Sequence, residues 1–145
     1  MGRIIQGRPV VPGKAKGELL ASDEPLSLWG GYDHRSGKIT DRRHPLCGES
    51  AAGKVLALPF TRGSSTTTAV LLEALRAGTA PVAILITGVD TFFALAAIVA
   101  DKMYQVNLPI IAISPEDLAA LKPGERVEIR EDGTIFLNWG VSNAD

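Results

Sequence analysis

The residues best equipped for chemistry stand together in "LPFTRGSSTTTAV", residues 58–70. Arg62 brings a forked cation that matches a carboxylate or a phosphate. Gly63 lets the backbone come close to a ligand or take a positive φ. Ser64 and Ser65 add short hydroxyls that donate, accept or, once deprotonated, act as base or nucleophile. An apolar run precedes this group and a helical pattern follows it, so it falls on a strand-to-helix joint. First-turn N–H groups of a helix lack internal partners and favour an anion. Three readings are open here: a cap built from hydroxyls, an anion site made by Arg62 and the helix N-terminus, and a serine acting on bound substrate. The third needs an activating partner. His34 and His44 are distant in sequence, and no G-x-S-x-G elbow is present.

A second group, "DHRSGKITDRRHP", holds Asp33, His34, Asp41 and His44. Acid beside histidine is the raw material of metal or proton-transfer sites. These spacings match no metal motif, and a solvated turn region is the plainer reading. The segment is long for a connection, which is often a mark of function. Trp29, next to Gly30 and Gly31, reads as a loop anchor or part of a docking surface. G-x-x-x-x-G-K at residues 48–54 is not a phosphate-binding loop, because it precedes its strand and Val55 follows the lysine. The lone Cys47 reads as a small buried or half-buried residue.

The elements that must position these groups follow from hydrophobic period. "GKVLALPF" (53–60), "PVAILIT" (81–87) and "LPIIAIS" (108–114) are apolar without alternation, as strands buried on both faces are. Between them, Val70, Leu71, Ala74 and Leu75 fall on one helical stripe stopped by Gly78, and residues 90–105 form a second helix with Asp90 or Thr91 as cap. "SPEDLAALKPGE" predicts a short helix with Ser114 as N-cap and Pro115 at N1. Asp132-Gly133 predicts a hairpin joining "RVEIRE" to "TIFLN". Strands at 3–11 and 16–22 come first, with "KIT" (38–40) at most a strand stub. The order β-α-β-α-β-α demands a parallel sheet with right-handed crossovers. The strands before and after it are expected to form a second, small β layer. The expectation is an α/β fold, a β/β/α three-layer sandwich around a central parallel sheet, as one domain over residues 1–145.

Bulk composition narrows the class. Among 145 residues, 46% are hydrophobic and 21% charged, with a net charge of −1. Near-balanced charge argues against nucleic acid or an anionic membrane as the main partner. With one cysteine, the chain forms no internal disulfide and no thiolate metal site of its own. The N-terminus has no signal-peptide pattern, and no apolar run reaches the ~18 residues of a membrane span. A cytoplasmic setting is expected.

Taken together, P-L-S-x-W-G-G (25–31), D-x-x-x-G-x-I-x-D-x-x-H-P (33–45), G-x-x-x-A-G-K-V-L (48–56), R-G-S-S (62–65) and "GTAPVAILI" (78–86) resemble the small subunit of the aconitase X family of hydro-lyases. The resemblance covers nearly the whole chain. It implies a swivelling β/β/α domain, half of an enzyme whose large subunit carries an iron–sulfur cluster; the small domain caps the cleft. It implies removal of water from a β-hydroxy acid, either cis-3-hydroxy-L-proline or mevalonate 5-phosphate, with the hydroxyproline branch favoured by the Ser-Ser-Thr run. A base takes the α-proton while a Lewis acid draws off the hydroxide. In the similar joint of aconitase the first serine is that base, which corresponds here to Ser64. Arg62, Gly63 and Ser65 would hold the anionic group. Aconitase has an arginine after the two serines; here Thr66 stands there, so carboxylate binding falls to Arg62 or to the large subunit. Trp29, Gly30, Gly31, Asp33, Asp41 and His44 become candidates for the interface or for groups behind the site. The alternative is a stand-alone anion-binding or assembly module. "GVDTFFALAAIVA" (88–100) also resembles phosphohistidine swivel domains, but Leu95 occupies the histidine position and cannot accept a phosphoryl group.

Overall fold

The computed structural model describes residues 2–28, 30–60, 65–88 and 91–138. Chain order is β1 (Arg3–Gln6), β2 (Arg8–Val11), β3 (Ala15–Ala21), β4 (Val55–Leu58), α1 (Ser65–Ala77), β5 (Ala83–Thr87), α2 (Thr91–Tyr104), β6 (Ile110–Ile113), α3 (Pro115–Ala120), β7 (Arg126–Ile129) and β8 (Thr134–Leu137). The sheet has eight strands in the order β1-β8-β7-β3-β4-β5-β6-β2. Its first and last members are consecutive in sequence, with only Gly7 between them, so the sheet nearly closes on itself.

The leading and trailing strands join the parallel ones in one eight-stranded order. β3 is long enough to serve both halves: Ala15 to Glu18 pair antiparallel with β7, and Leu19 to Ala21 pair parallel with β4. β2, one of the leading strands, joins the parallel half by pairing antiparallel with β6. β1 goes the other way, to β8. The bend between them falls at Gly7, where a Cβ would stand 2.3 Å from Ile111 Cγ2.

The parallel strands β3-β4-β5-β6 have both faces apolar, and the alternation of side chains sorts them into two cores. Leu56, Leu58, Ile84 and Ile86 pack with Leu71, Ala74 and Leu75 of α1 and Phe93, Ala96, Ala97 and Ala100 of α2. Val55, Ala57, Ala83 and Leu85 pack on the opposite face with Ile5, Val127, Ile129, Ile135 and Leu137 of the antiparallel half and with Leu118 of α3. The connection from β3 to β4, residues 22–54, has no helix among its described residues. It supplies Leu26, Leu28, Tyr32, Ile39 and Leu46 to the helix-side core instead. At about 1.5–3 kcal/mol for each large side chain buried, this loop is structural in its own right. The predicted stub at 38–40 is reduced to two isolated bridges, Tyr32 with Ile39 and Lys38 with Ser50.

The signals at α3 and at the end of α1 act as expected, while Asp90, a cap candidate for α2, lies outside the described residues. Ser114 accepts from Asp117 N–H at 3.1 Å and Pro115 opens α3. Gly78 ends α1 at φ 78°. The hairpin between β7 and β8 takes a different loop from the two-residue form. Gly133 N–H donates to Arg130 O and Arg130 N–H to Thr134 O, and of Asp132 and Gly133 only Gly133 has positive φ. That is a three-residue loop with a G1 bulge.

Candidate active site at the carboxyl edge of the parallel strands

β3, β4, β5 and β6 run parallel, so their carboxyl ends share one edge, the edge where α/β folds hold ligands. β4 leaves the sheet at Leu58, and α1 begins at Ser65. The R-G-S-S joint therefore spans strand end and helix start at this edge. Arg62, Gly63 and Ser64 lie outside the described residues; Ser65 is the first residue of α1.

Described residues fix both stems of the joint. On the strand side, the hydroxyl of Thr87, the last residue of β5, donates to the carbonyl of Pro59. On the helix side, Thr68 Oγ1 donates to the Phe92 carbonyl at 3.1 Å, tying the first turn of α1 to the first turn of α2. Thr67 is buried. Phe60, at the start of the joint, is 53% exposed. Next along the edge, Ser22 N–H donates to Ala57 O at 3.0 Å and holds the exit of β3 against β4. Beside it is a hollow of about 320 Å³ lined by Ala21, Ser22, Asp23, Pro45, Leu118, Ala119 and Leu121. Sequence reading missed Thr87 and Thr68. A threonine that ends an otherwise apolar strand was the available signal for the first.

The acid–histidine group is dispersed into separate turns. The Asp33 carboxylate accepts from Arg35 N–H and Ser36 Oγ, each at 2.9 Å. Those two bonds, the backbone one first, hold it below the usual carboxylate range. Asp41 Oδ1 accepts from Arg43 N–H at 3.0 Å. His44 is buried: its Nδ1 accepts from Leu46 N–H at 3.1 Å, so Nε2 carries the hydrogen and donates to Glu24 O at 3.1 Å. His44 thereby pins the Asp41–His44 turn to the segment leaving β3. Trp29 lies outside the described residues. Gly30 has φ 75°. Gly31 is buried, and a Cβ there would stand 2.1 Å from Ser27 O, so a side chain is sterically excluded. Among the described residues no three His, Cys, Asp or Glu side chains gather as a metal site. Cys47, expected to be at least half buried, is exposed. Leu46 takes the core position, and Cys47 continues the turn, its N–H donating to His44 O at 3.0 Å.

Comparison with known proteins settles the family. The aconitase X swivel domain model matches residues 4–137. The chain belongs to this family. It is 45% identical over 136 residues to the cis-3-hydroxy-L-proline dehydratase of Pseudomonas aeruginosa, covering 93% of this chain and 23% of that protein. The chain thus spans about a quarter of that relative's length. It is 38% identical over 128 residues to the phosphomevalonate dehydratase small subunit of Thermococcus onnurineus, covering 88% of this chain and 92% of that one. The fold matches the crystal structure of Thermococcus kodakaraensis aconitase X (holo-form) with a TM-score of 0.82 at 32% identity, over 93% of this chain and 98% of that one. No helix among the described residues is long and apolar enough to cross a membrane.

The family implies an iron–sulfur cluster. Such clusters take several cysteine thiolates. This aconitase X swivel domain has one cysteine, Cys47. Its own residues therefore do not fit the cluster.

Proposed function

We propose that this chain is the small, swivelling subunit of a hydro-lyase that dehydrates a β-hydroxy acid, active only with its large subunit. Family membership, together with the position of R-G-S-S between the carboxyl end of β4 and the first turn of α1, supports the reading. Ser64 takes the proton α to the substrate carboxylate. Arg62, Ser65 and the N–H of Gly63 hold the anionic group, helped by the N–H groups of the first turn of α1. The same helix terminus favours an alkoxide at Ser64. Closure of the swivel domain on the large subunit excludes water from the carbanion-like intermediate.

In this reading the chain is one β/β/α three-layer domain over residues 1–145. The cluster belongs to the large subunit, since this chain lacks the ligands. The partner is that subunit, in a heterodimer, and neither nucleic acid nor membrane takes part; the complex is cytoplasmic. Cis-3-hydroxy-L-proline is the first substrate to try and mevalonate 5-phosphate the second. The order follows the 45% identity to the hydroxyproline enzyme against 38% to the phosphomevalonate small subunit.

The test is to assemble the chain with its large subunit and assay both hydroxy acids. Ser64→Ala should lower turnover by about 10²–10⁴-fold, the scale of a lost proton acceptor, while the two subunits still co-elute. Full turnover by Ser64→Ala removes the serine from the chemistry. Anion binding by the isolated chain without turnover by the pair would point to a stand-alone module.

A further inference from the structure

Both stems of the joint are tied to the same neighbouring strand–helix unit. Upstream, Thr87 Oγ1 donates to the Pro59 carbonyl. Downstream, Thr68 Oγ1 donates to the Phe92 carbonyl. Residues 87 and 92 themselves bracket the next loop along the edge, between β5 and α2. Two adjacent carboxyl-edge loops are thus cross-linked at both ends.

Strand formation does not account for the Thr87 hydroxyl. The β4–β5 ladder ends at the Leu58–Ile86 pair, so Pro59 lies one residue past it, where the ladder offers its carbonyl nothing. The rest of β5 is Ala-Ile-Leu-Ile, and valine, nearly the same shape as threonine, suits such a strand equally well. What threonine adds is a donor directed at the peptide from which the joint departs.

We infer that Thr87 is a positioning residue for the reaction. Its hydroxyl fixes the point at which the chain leaves β4 on its way to Ser64, with Thr68 holding the far stem. The inference rests on the hydro-lyase reading above. A displacement of about 1 Å at a reacting group costs on the order of 10²-fold in rate, so one such bond is enough to matter.

The experiment uses the assembled two-subunit enzyme and compares wild type, Thr87→Val and Thr87→Ser for kcat, KM and melting temperature. Thr87→Val should lower kcat about 10–100-fold with KM little changed and the subunits still associated. Thr87→Ser, which keeps the donor, should recover most of the loss. In a Ser64→Ala background Thr87→Val should cost nothing further, because the group it positions is gone. Thr68→Val is read the same way and decides the matter if Thr87→Val does not assemble. The inference is overturned by wild-type kcat in Thr87→Val, by Thr87→Ser being no better than Thr87→Val, or by a loss that disappears once rates are corrected for folded complex. Full activity in Ser64→Ala alone overturns the hydro-lyase serine instead, so the two failures are distinguishable.

Discussion

Gly7 and Gly133 meet backbone against backbone where the sheet comes back on itself. The Gly7 N–H donates to the Gly133 carbonyl at 3.0 Å, and a Cβ on Gly133 would stand 2.6 Å from the Gly7 carbonyl oxygen. Gly7 is the hinge between β1 and β2, which depart to opposite ends of the strand order. Gly133 is the left-handed residue of the β7–β8 loop, at φ 88°. Two features that sequence reading treats separately, a glycine in a leading strand and a turn glycine near the other end of the chain, are one contact.

Alanine at either position tests that closure. Gly133→Ala meets both a disfavoured φ and the Gly7 backbone, and should destabilise the chain by about 2–4 kcal/mol. Gly7→Ala drives a methyl into Ile111, which is fully buried and cannot swing out to solvent. A loss of about 1–3 kcal/mol is expected. Denaturant unfolding reads both; midpoints equal to wild type would mean the two halves of the sheet close without this contact.

His44 carries a different expectation. Both its ring nitrogens are used by backbone groups, so its removal strands the Leu46 N–H and the Glu24 carbonyl. His44→Ala should cost about 2–4 kcal/mol, from a buried cavity and unpaired polar groups. Amide exchange should speed up at Leu46 and Cys47 before it does in β4 and β5. If the variant instead kept its melting point but lost turnover in the assembled enzyme, the residue would be chemical and not structural.

The middle of the fold was legible because its strands are buried on both faces. Val55–Leu58, Ala83–Thr87 and Ile110–Ile113 each read as an apolar run, and the switch to helical period after β4 placed the R-G-S-S joint correctly between strand and helix. The division of labour in β3 was not legible. Nothing in "AKGELLA" marks the point between Glu18 and Leu19 where its partner changes from β7 to β4. The fate of β1 and β2 depended on partners far along the chain, β8 and β6, and short strands carry no information about such pairings. The role of residues 22–54 was hidden for a related reason. Leu26, Leu28, Tyr32, Ile39 and Leu46 follow no regular period, so their shared burial shows only once the loop is folded over α1 and the sheet.

Residue types singled out Ser64 and its neighbours as candidates, while the bonds of Thr87 and Thr68 escaped notice because they join positions 28 and 24 residues apart. His44 and Asp33 were recognised as chemically able. The bonds described for them are with groups of their own turns only a few residues away, for Asp33 including the Ser36 hydroxyl, and, for His44, with the Glu24 carbonyl. Asx-type turns of this kind draw on the same acidic side chains that proton-transfer sites use.

Tyr32 ties the same loop to the end of α1, and its phenol provides a pH-dependent test. The hydroxyl donates to Thr79 O at 2.8 Å, and burial pushes its pKa above the usual 10.0. A raised value means that the folded state favours the protonated phenol. The contribution is therefore complete below the unfolded value and is lost as pH climbs past it. At neutral pH, Tyr32→Phe should cost about 1 kcal/mol for the lost bond, more if Thr79 O finds no water. Above pH 10.0 wild type should lose up to about 1.4 kcal/mol per pH unit that the phenylalanine variant does not. Unfolding free energies of the two proteins, taken from neutral pH into that range, should therefore converge. Parallel curves would mean that the Tyr32 phenol ionises as freely in the folded chain as in the unfolded one, and that the loop is not closed over it.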